Sequence, residues 1–133
     1  MRAVVADTHA VLWYLLDVDR LSTSAAKFLD EAAQAGEPIC VATISVVEVI
    51  YLVEKGRVPE KALEVLIRAL NDPHSGFLSV PLDAAVARAV RRIPREVVPD
   101  LPDRIIAATA LHLDAPLVTG DRRIRAGNIR TIW

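Results

Sequence analysis

Aromatic residues are scarce in this chain, at 5% of its composition. Hydrophobic residues nevertheless reach 53%, so the core must be built from Val, Leu, Ile and Ala. A single cysteine, Cys40, excludes an intrachain disulfide and reads as a small buried hydrophobe inside an apolar run. Histidine is also sparse. His9, His74 and His112 are scattered and Cys40 is isolated, so no zinc-type spacing exists. No unbroken apolar run approaches the length of a membrane span. Asp7 interrupts the first apolar run before it could form a signal-peptide core. The expectation is a soluble, cytoplasmic protein without membrane association. An excess of charge is missing too. A net charge of −1 excludes a role that coats nucleic acid through overall basicity, though not a local basic patch.

The length of 133 residues suits one domain, expected to span 1–133. The stretch around which it is organised is its first ten residues, Met1-Arg-Ala-Val-Val-Ala-Asp7-Thr8-His9-Ala10. A short apolar run stops at an acid. Val11, Leu12, Leu15 and Leu16 then follow at helical spacing. A buried parallel strand handing over to a helix reads this way. Asp7 is thus expected at the carboxyl end of a strand, where open α/β sheets place their ligands.

Further along, Ser22 to Ser24 caps a helix over 25–35, and Gly36 ends it. Strands are expected over 38–42, 77–80, 116–119 and 129–133. Helices are expected from Thr43 to about Gly56, from Pro59 to Leu70, from Ala84 to Arg92 and from Asp103 to Leu113. A loop with three prolines, 94–102, separates the last two. Strands alternate with helices throughout, which predicts about five parallel strands with helices on both faces.

Acids recur at the ends of these strands. Glu48 lies one turn into the helix after the second strand, with apolar residues on both sides. Ser45-Val-Val-Glu48 also matches a capping box. Asp103 reads equally as a helix N-cap, before a helix whose Ala107 and Ala110 would let it lie close to its neighbours. Asp100 is a second acid nearby. Asp121 follows Leu117-Val-Thr-Gly120, where Gly-Asp is an ordinary turn former and the Thr119 hydroxyl could orient a carboxylate. With strand order 3-2-1-4-5, Asp7 and Asp121 would face each other across the switch-point crevice. Gathered carboxylates repel one another, and a divalent cation removes the conflict. All-oxygen ligands favour Mg²⁺ or Mn²⁺. His9 could line the same site.

Val5-Ala-Asp7-Thr-His9, Ile44-Ser-Val-Val-Glu48, Pro102-Asp103-Arg-Ile-Ile-Ala-Ala-Thr-Ala110 and Leu117-Val-Thr-Gly-Asp121 together resemble the PIN-domain nucleases, with the VapC-type toxins of toxin–antitoxin pairs the nearest match. The ordered set carries the resemblance, across essentially the whole chain. It implies a three-layer α/β/α sandwich and an Mg²⁺- or Mn²⁺-dependent endoribonuclease that forms a homodimer and is inhibited by a cognate antitoxin. It maps the catalytic, metal-holding acids onto Asp7, Glu48, Asp103 and Asp121. His9 stands where many relatives carry Ser.

RNA would be hydrolysed with Asp7, Asp103 and Asp121 holding one or two cations and Glu48 completing the shell. Arg104, Arg122, Arg123, Arg125 and Arg130 cluster around the last two acids and could contact phosphates, with Arg122 and Arg123 the stronger candidates. An alternative is a non-catalytic, PIN-like binding module. Leu12, Trp13, Leu16, Ile50, Tyr51, Val53 and Glu54 would then offer surface to an antitoxin segment or a second copy. Phosphatase or receiver-type chemistry fits worse, because Asp7-Thr8-His9 lacks a second acid two residues on. A dinucleotide fold lacks its Gly-rich turn.

Overall fold

Strand-to-helix transitions without intervening loops set the architecture. In the computed structural model, which describes residues 3–133, β1 (Val4–Ala6) passes through Asp7 directly into α1 (Thr8–Leu16). β2 (Ile39–Ala42) likewise runs straight into α3 (Thr43–Glu54). Between them lie a 3₁₀ turn, Val18–Arg20, and α2 (Thr23–Gln34), capped by the Ser22 side chain. Next come α4 (Glu60–Asn71), β3 (Phe77–Val80) and α5 (Ala84–Ala89), which tightens into a 3₁₀ turn at Val90–Arg92. The chain closes with α6 (Leu101–Leu113), β4 (Leu117–Val118), α7 (Arg122–Arg125) and β5 (Thr131–Ile132). Residues 1 and 2 of the expected domain lie outside the described residues.

All five strands are parallel, in the order β3-β2-β1-β4-β5. This is the expected doubly wound order. Side-chain alternation splits each strand between two cores. Val4, Ala6, Ile39, Val41 and Val118 pack under α1, α2 and α4, around Val11, Leu29 and Leu66. Val5, Cys40, Ala42 and Leu117 pack under α5, α6 and α7, around Val86, Ile106 and Ile124. The result is a three-layer α/β/α sandwich.

Sequence boundaries differ from the structure in informative places. The turn Gly120-Asp121 opens the unexpected helix α7, because the Asp121 carboxylate accepts hydrogen bonds from the Arg123 and Ile124 amides at 2.8 and 3.3 Å. Helix α6 starts at Leu101 rather than Asp103. Asp100 supplies its cap, accepting from the Asp103 amide at 3.1 Å, and Pro102 falls within the first turn, where its missing N–H costs nothing. No capping box forms at Ser45, since α3 already begins at Thr43.

Ala107, Ala108 and Ala110 of α6 are fully buried against the sheet. Small side chains here let the helix axis approach β1 and β2 closely. Ala107→Leu is therefore expected to overpack the interface and destabilise the fold by about 1–3 kcal/mol. Urea denaturation measures this, and a variant as stable as the parent would mean that α6 does not press on the strands.

Candidate functional site

Strand register brings the first two groups of the site together. Ala6 pairs with Val118, so the residues that follow them, Asp7 and Thr119, end level at the carboxyl edge. The Asp7 amide donates to the Val118 carbonyl at 3.0 Å, extending the ladder by one step. The Thr119 hydroxyl donates to Asp7 Oδ2 and accepts from the Asp121 amide at 3.1 Å. One side chain thus ties the acid after β1 to the backbone of the acid after β4.

Asp7 also caps α1, its Oδ1 accepting from the Ala10 amide at 2.8 Å. Asp7, Asp100 and Asp121 therefore each cap a helix, and each carboxylate meets the positive end of a helix dipole. Glu48 is held differently. The Thr8 hydroxyl lies 2.6 Å from Glu48 Oε1 and 2.9 Å from Ser45 Oγ. That hydroxyl has one proton, which goes to the carboxylate, leaving Ser45 to donate to Thr8. Thr8 and Ser45 are both buried, so this relay joins α1 to α3 inside the protein.

A cavity of about 450 Å³ opens at this edge, lined by Asp7, Glu48, Asp100, Asp103 and Asp121. His9, Trp13, Gly120 and Trp133 complete much of its wall. Glu48, Asp100 and Asp103 each place a carboxylate oxygen within 4.8 Å of the other two. Asp100, expected as a secondary acid, therefore belongs to the tightest group. Asp7 and Asp121 face the same cavity from their helix caps.

Among the described residues, no lysine or arginine forms an ion pair with these five acids. Three of them, Asp7, Glu48 and Asp103, are raised, each first by burial. Burial, with Asp100, Asp121, Glu48 and Asp7 close by, pushes Asp103 up to about 7 from an ordinary 3.8. No hydrogen bond opposes that rise. Burial also raises Asp7, against the hydrogen bonds from Thr119 and Ala10. Glu48 is raised by burial, then by Asp100, with the Thr8 hydrogen bond opposing. All-oxygen donors, crowded and lacking a cation, are the donor set that a hard divalent ion fits.

The expected phosphate-binding arginines separate. Arg104 does not face the cavity. Its Nε and Nη2 donate to the Ile93 carbonyl at 3.2 and 2.9 Å, and Nη2 also reaches the Val90 carbonyl at 3.0 Å. It secures the end of the α5 segment, and its assignment to phosphate is corrected accordingly. Arg122 and Arg123 are exposed on α7 immediately beyond Asp121, and Arg125 and Arg130 are also exposed. Of the residues expected at a partner surface, Leu12 is buried and Val53 packs on the core, whereas Leu16, Ile50, Tyr51 and Glu54 are exposed. Trp13 belongs to the cavity wall. Sequence reasoning missed Trp133 and Gly120. The equal spacing of Val118 and Ile132 from their strand ends was the available signal for Trp133.

The acid-lined crevice at the switch point of this parallel three-layer sandwich is a candidate divalent-metal site. Residues 4–128 match the family model described as PIN domain. The chain is 32% identical over 126 residues to Ribonuclease VapC22 of Mycobacterium tuberculosis (strain ATCC 25618 / H37Rv), covering 95% of this chain and 92% of that protein. It is similar in fold to DNA-bound VapBC from Salmonella typhimurium, with a TM-score of 0.72 at 20% identity over 98% of this chain and 97% of the other. It is also similar to VapBC2 from Rickettsia felis bound to a promoter DNA fragment, with a TM-score of 0.71 at 18% identity over 97% and 96% of the two chains. The chain belongs to the PIN-domain family, on its VapC-type branch.

The raised carboxylates have a consequence for stability. Between about pH 4 and 7 the folded chain keeps on Asp103 a proton that the unfolded chain has released. The native state then binds more protons, so stability falls as pH rises through that window. Asp7 and Glu48 shift in the same direction. In EDTA, Asp103→Asn is expected to flatten this decline and to melt roughly 3–5 °C above the parent at pH 8, for about 1 kcal/mol after discounting solvent screening. Calorimetry across pH checks it. Parallel profiles for the two proteins would count against the raised value.

Proposed function

We propose that this protein is an Mg²⁺- or Mn²⁺-dependent endoribonuclease and the toxin of a toxin–antitoxin pair. One observation carries the reading: five carboxylates line one cavity at the carboxyl edge, three within 4.8 Å of each other, with no basic side chain paired to them among the described residues. Glu48, Asp100 and Asp103 would hold the ion, with Asp7 and Asp121 contributing from the same cavity. A bound divalent ion supplies an activated water and stabilises charge on the attacked phosphate. The chain's own part is to fix four of the acids before the ion arrives. Thr119 orients Asp7, Thr8 orients Glu48, and the caps of α1, α6 and α7 hold one oxygen each of Asp7, Asp100 and Asp121. Arg122 and Arg123, projecting beside Asp121, would contact backbone phosphates.

Similarity to Ribonuclease VapC22 supports RNA as the substrate. Similarity in fold to a toxin–antitoxin complex supports a protein antitoxin as partner, and a second copy of the chain is the proposed dimer mate. The exposed Val47, Ile50 and Tyr51 of α3, with Leu16 of α1, supply apolar surface for such contacts.

A non-catalytic module is the competing reading, favoured by the capping roles of Asp7, Asp100 and Asp121. Two measurements separate them. Mn²⁺ at a hundred times its dissociation constant is expected to stabilise the chain by about 2.7 kcal/mol. A structured RNA is expected to be cut with Mg²⁺ or Mn²⁺ and spared in EDTA, with cleavage falling at least about 100-fold in Asp7→Asn and Asp103→Asn. Cleavage that survives both chelation and substitution would defeat the nuclease reading. Absence of both stabilisation by Mn²⁺ and cleavage would favour the module.

A further inference from the structure

Both tryptophans of this aromatic-poor chain line the acidic cavity. Trp133 follows Ile132, which pairs with Val118, so it stands level with Thr119 on the neighbouring strand and two strands away from Asp7. Gly120 fits against it closely. A Cβ on Gly120 would lie 2.9 Å from both Cε2 and Cζ2 of the indole and 3.2 Å from Cδ2. Cε2 is a ring-fusion carbon with three in-plane neighbours, so so close an approach can come only over the ring face. The backbone at Gly120 therefore backs one face of Trp133. Trp13 braces the ring at a centroid distance of 6.1 Å and a tilt of 56°. His9 sits 5.5 Å from Trp13, tilted at 48°. Arg20 covers Trp13 at 4.7 Å, a cation–π contact that stiffens the brace.

An indole fixed in this way is a flat, sequence-tolerant surface beside a site for phosphate. Every nucleobase has a π face, and unstacked bases of single-stranded RNA bind aromatic side chains through it. We propose that Trp133, braced by Trp13 and backed by Gly120, stacks one unpaired base of an RNA strand whose phosphate lies at the carboxylates. This deepens the nuclease reading and rests on RNA being the ligand of the cavity. The platform positions the strand; the acids remain the reacting site.

The test uses the full chain with Ca²⁺, a hard ion that can stand between the acids and a phosphate, and the strand is recovered and sized to show that it is bound without being cut. A labelled single-stranded oligoribonucleotide is compared with versions that each carry one abasic ribose, by fluorescence anisotropy. For the parent chain, removing the base at one position is expected to weaken binding by about 5-fold or more. Trp133→Leu keeps apolar packing without a flat face, and is expected to bind the intact strand as weakly as the parent binds the abasic one. It should no longer distinguish the two. Trp133→Phe should keep part of the discrimination. Absence of any abasic penalty in the parent, or equal penalties in Trp133→Leu and the parent, would overturn the proposal. So would identical behaviour of the Leu and Phe variants. Cleavage in Mn²⁺ is scored separately. A parent that cleaves RNA but ignores abasic positions loses only the platform, whereas one that senses them without cleaving loses only the nuclease reading.

Discussion

The pairing of β1 with β4 is the constraint on which both core and site depend. Asp7 and Thr119 are 112 positions apart in sequence, yet their side chains bond because Ala6 and Val118 end level. The same register decides which residues enter which core. Val118 faces the α1–α2–α4 layer and Leu117 the α5–α6–α7 layer. A slip of one residue would exchange those faces and expose apolar side chains at a misfit surface. It would also carry Thr119 away from Asp7. Hydrophobic alternation therefore secures the geometry of the acids, although none of the acids belongs to the core.

The fold tolerates so many carboxylates in one crevice because helices begin there. Asp7, Asp100 and Asp121 each use an oxygen to satisfy amides that would otherwise lack a partner at a helix start. Capping contributes about 1 kcal/mol for each helix and partly offsets the mutual repulsion. Glu48 receives a hydroxyl proton instead. Asp103 has neither form of support, and it is the carboxylate pushed up to about 7. A structural role and a metal-holding role are thus compatible in one residue. The cap occupies one oxygen, and the second accepts from Thr119 in Asp7 but carries no hydrogen bond among the described residues in Asp100 and Asp121.

Much of this was legible in the sequence. Short apolar runs alternating with helical stripes carry the strand count and order, and the acids after three of those runs point to a shared edge. What was not legible depended on where helices begin. In Asp100-Leu-Pro-Asp103 either acid is an acceptable cap, and only the packed position of α6 selects Asp100. That choice places both acids together, with Glu48 brought in from another helix. Arg104 was misread because its sequence neighbours suggest the site, whereas its side chain turns back to carbonyls ten or more positions earlier. The capping-box pattern at Ser45 failed for a similar reason. The strand passes into α3 without a loop, so Ser45 already lies inside the helix and is free to bond with Thr8.

The charge balance bears on how a polyanion could be retained. With a net charge of −1 and five acids at the cavity, long-range attraction cannot draw a phosphate chain inward. Grip must come from short-range contacts that survive physiological salt. A divalent ion converts the acids from repulsive to attractive, but acts only at the phosphate it touches. The exposed arginines of α7 are screened within a Debye length of about 8 Å. Stacking is not weakened by salt in this way, and the structure places its two indoles where a strand passing the acids would meet them. A scarce residue type concentrated at one edge is what a binding mode independent of net charge requires.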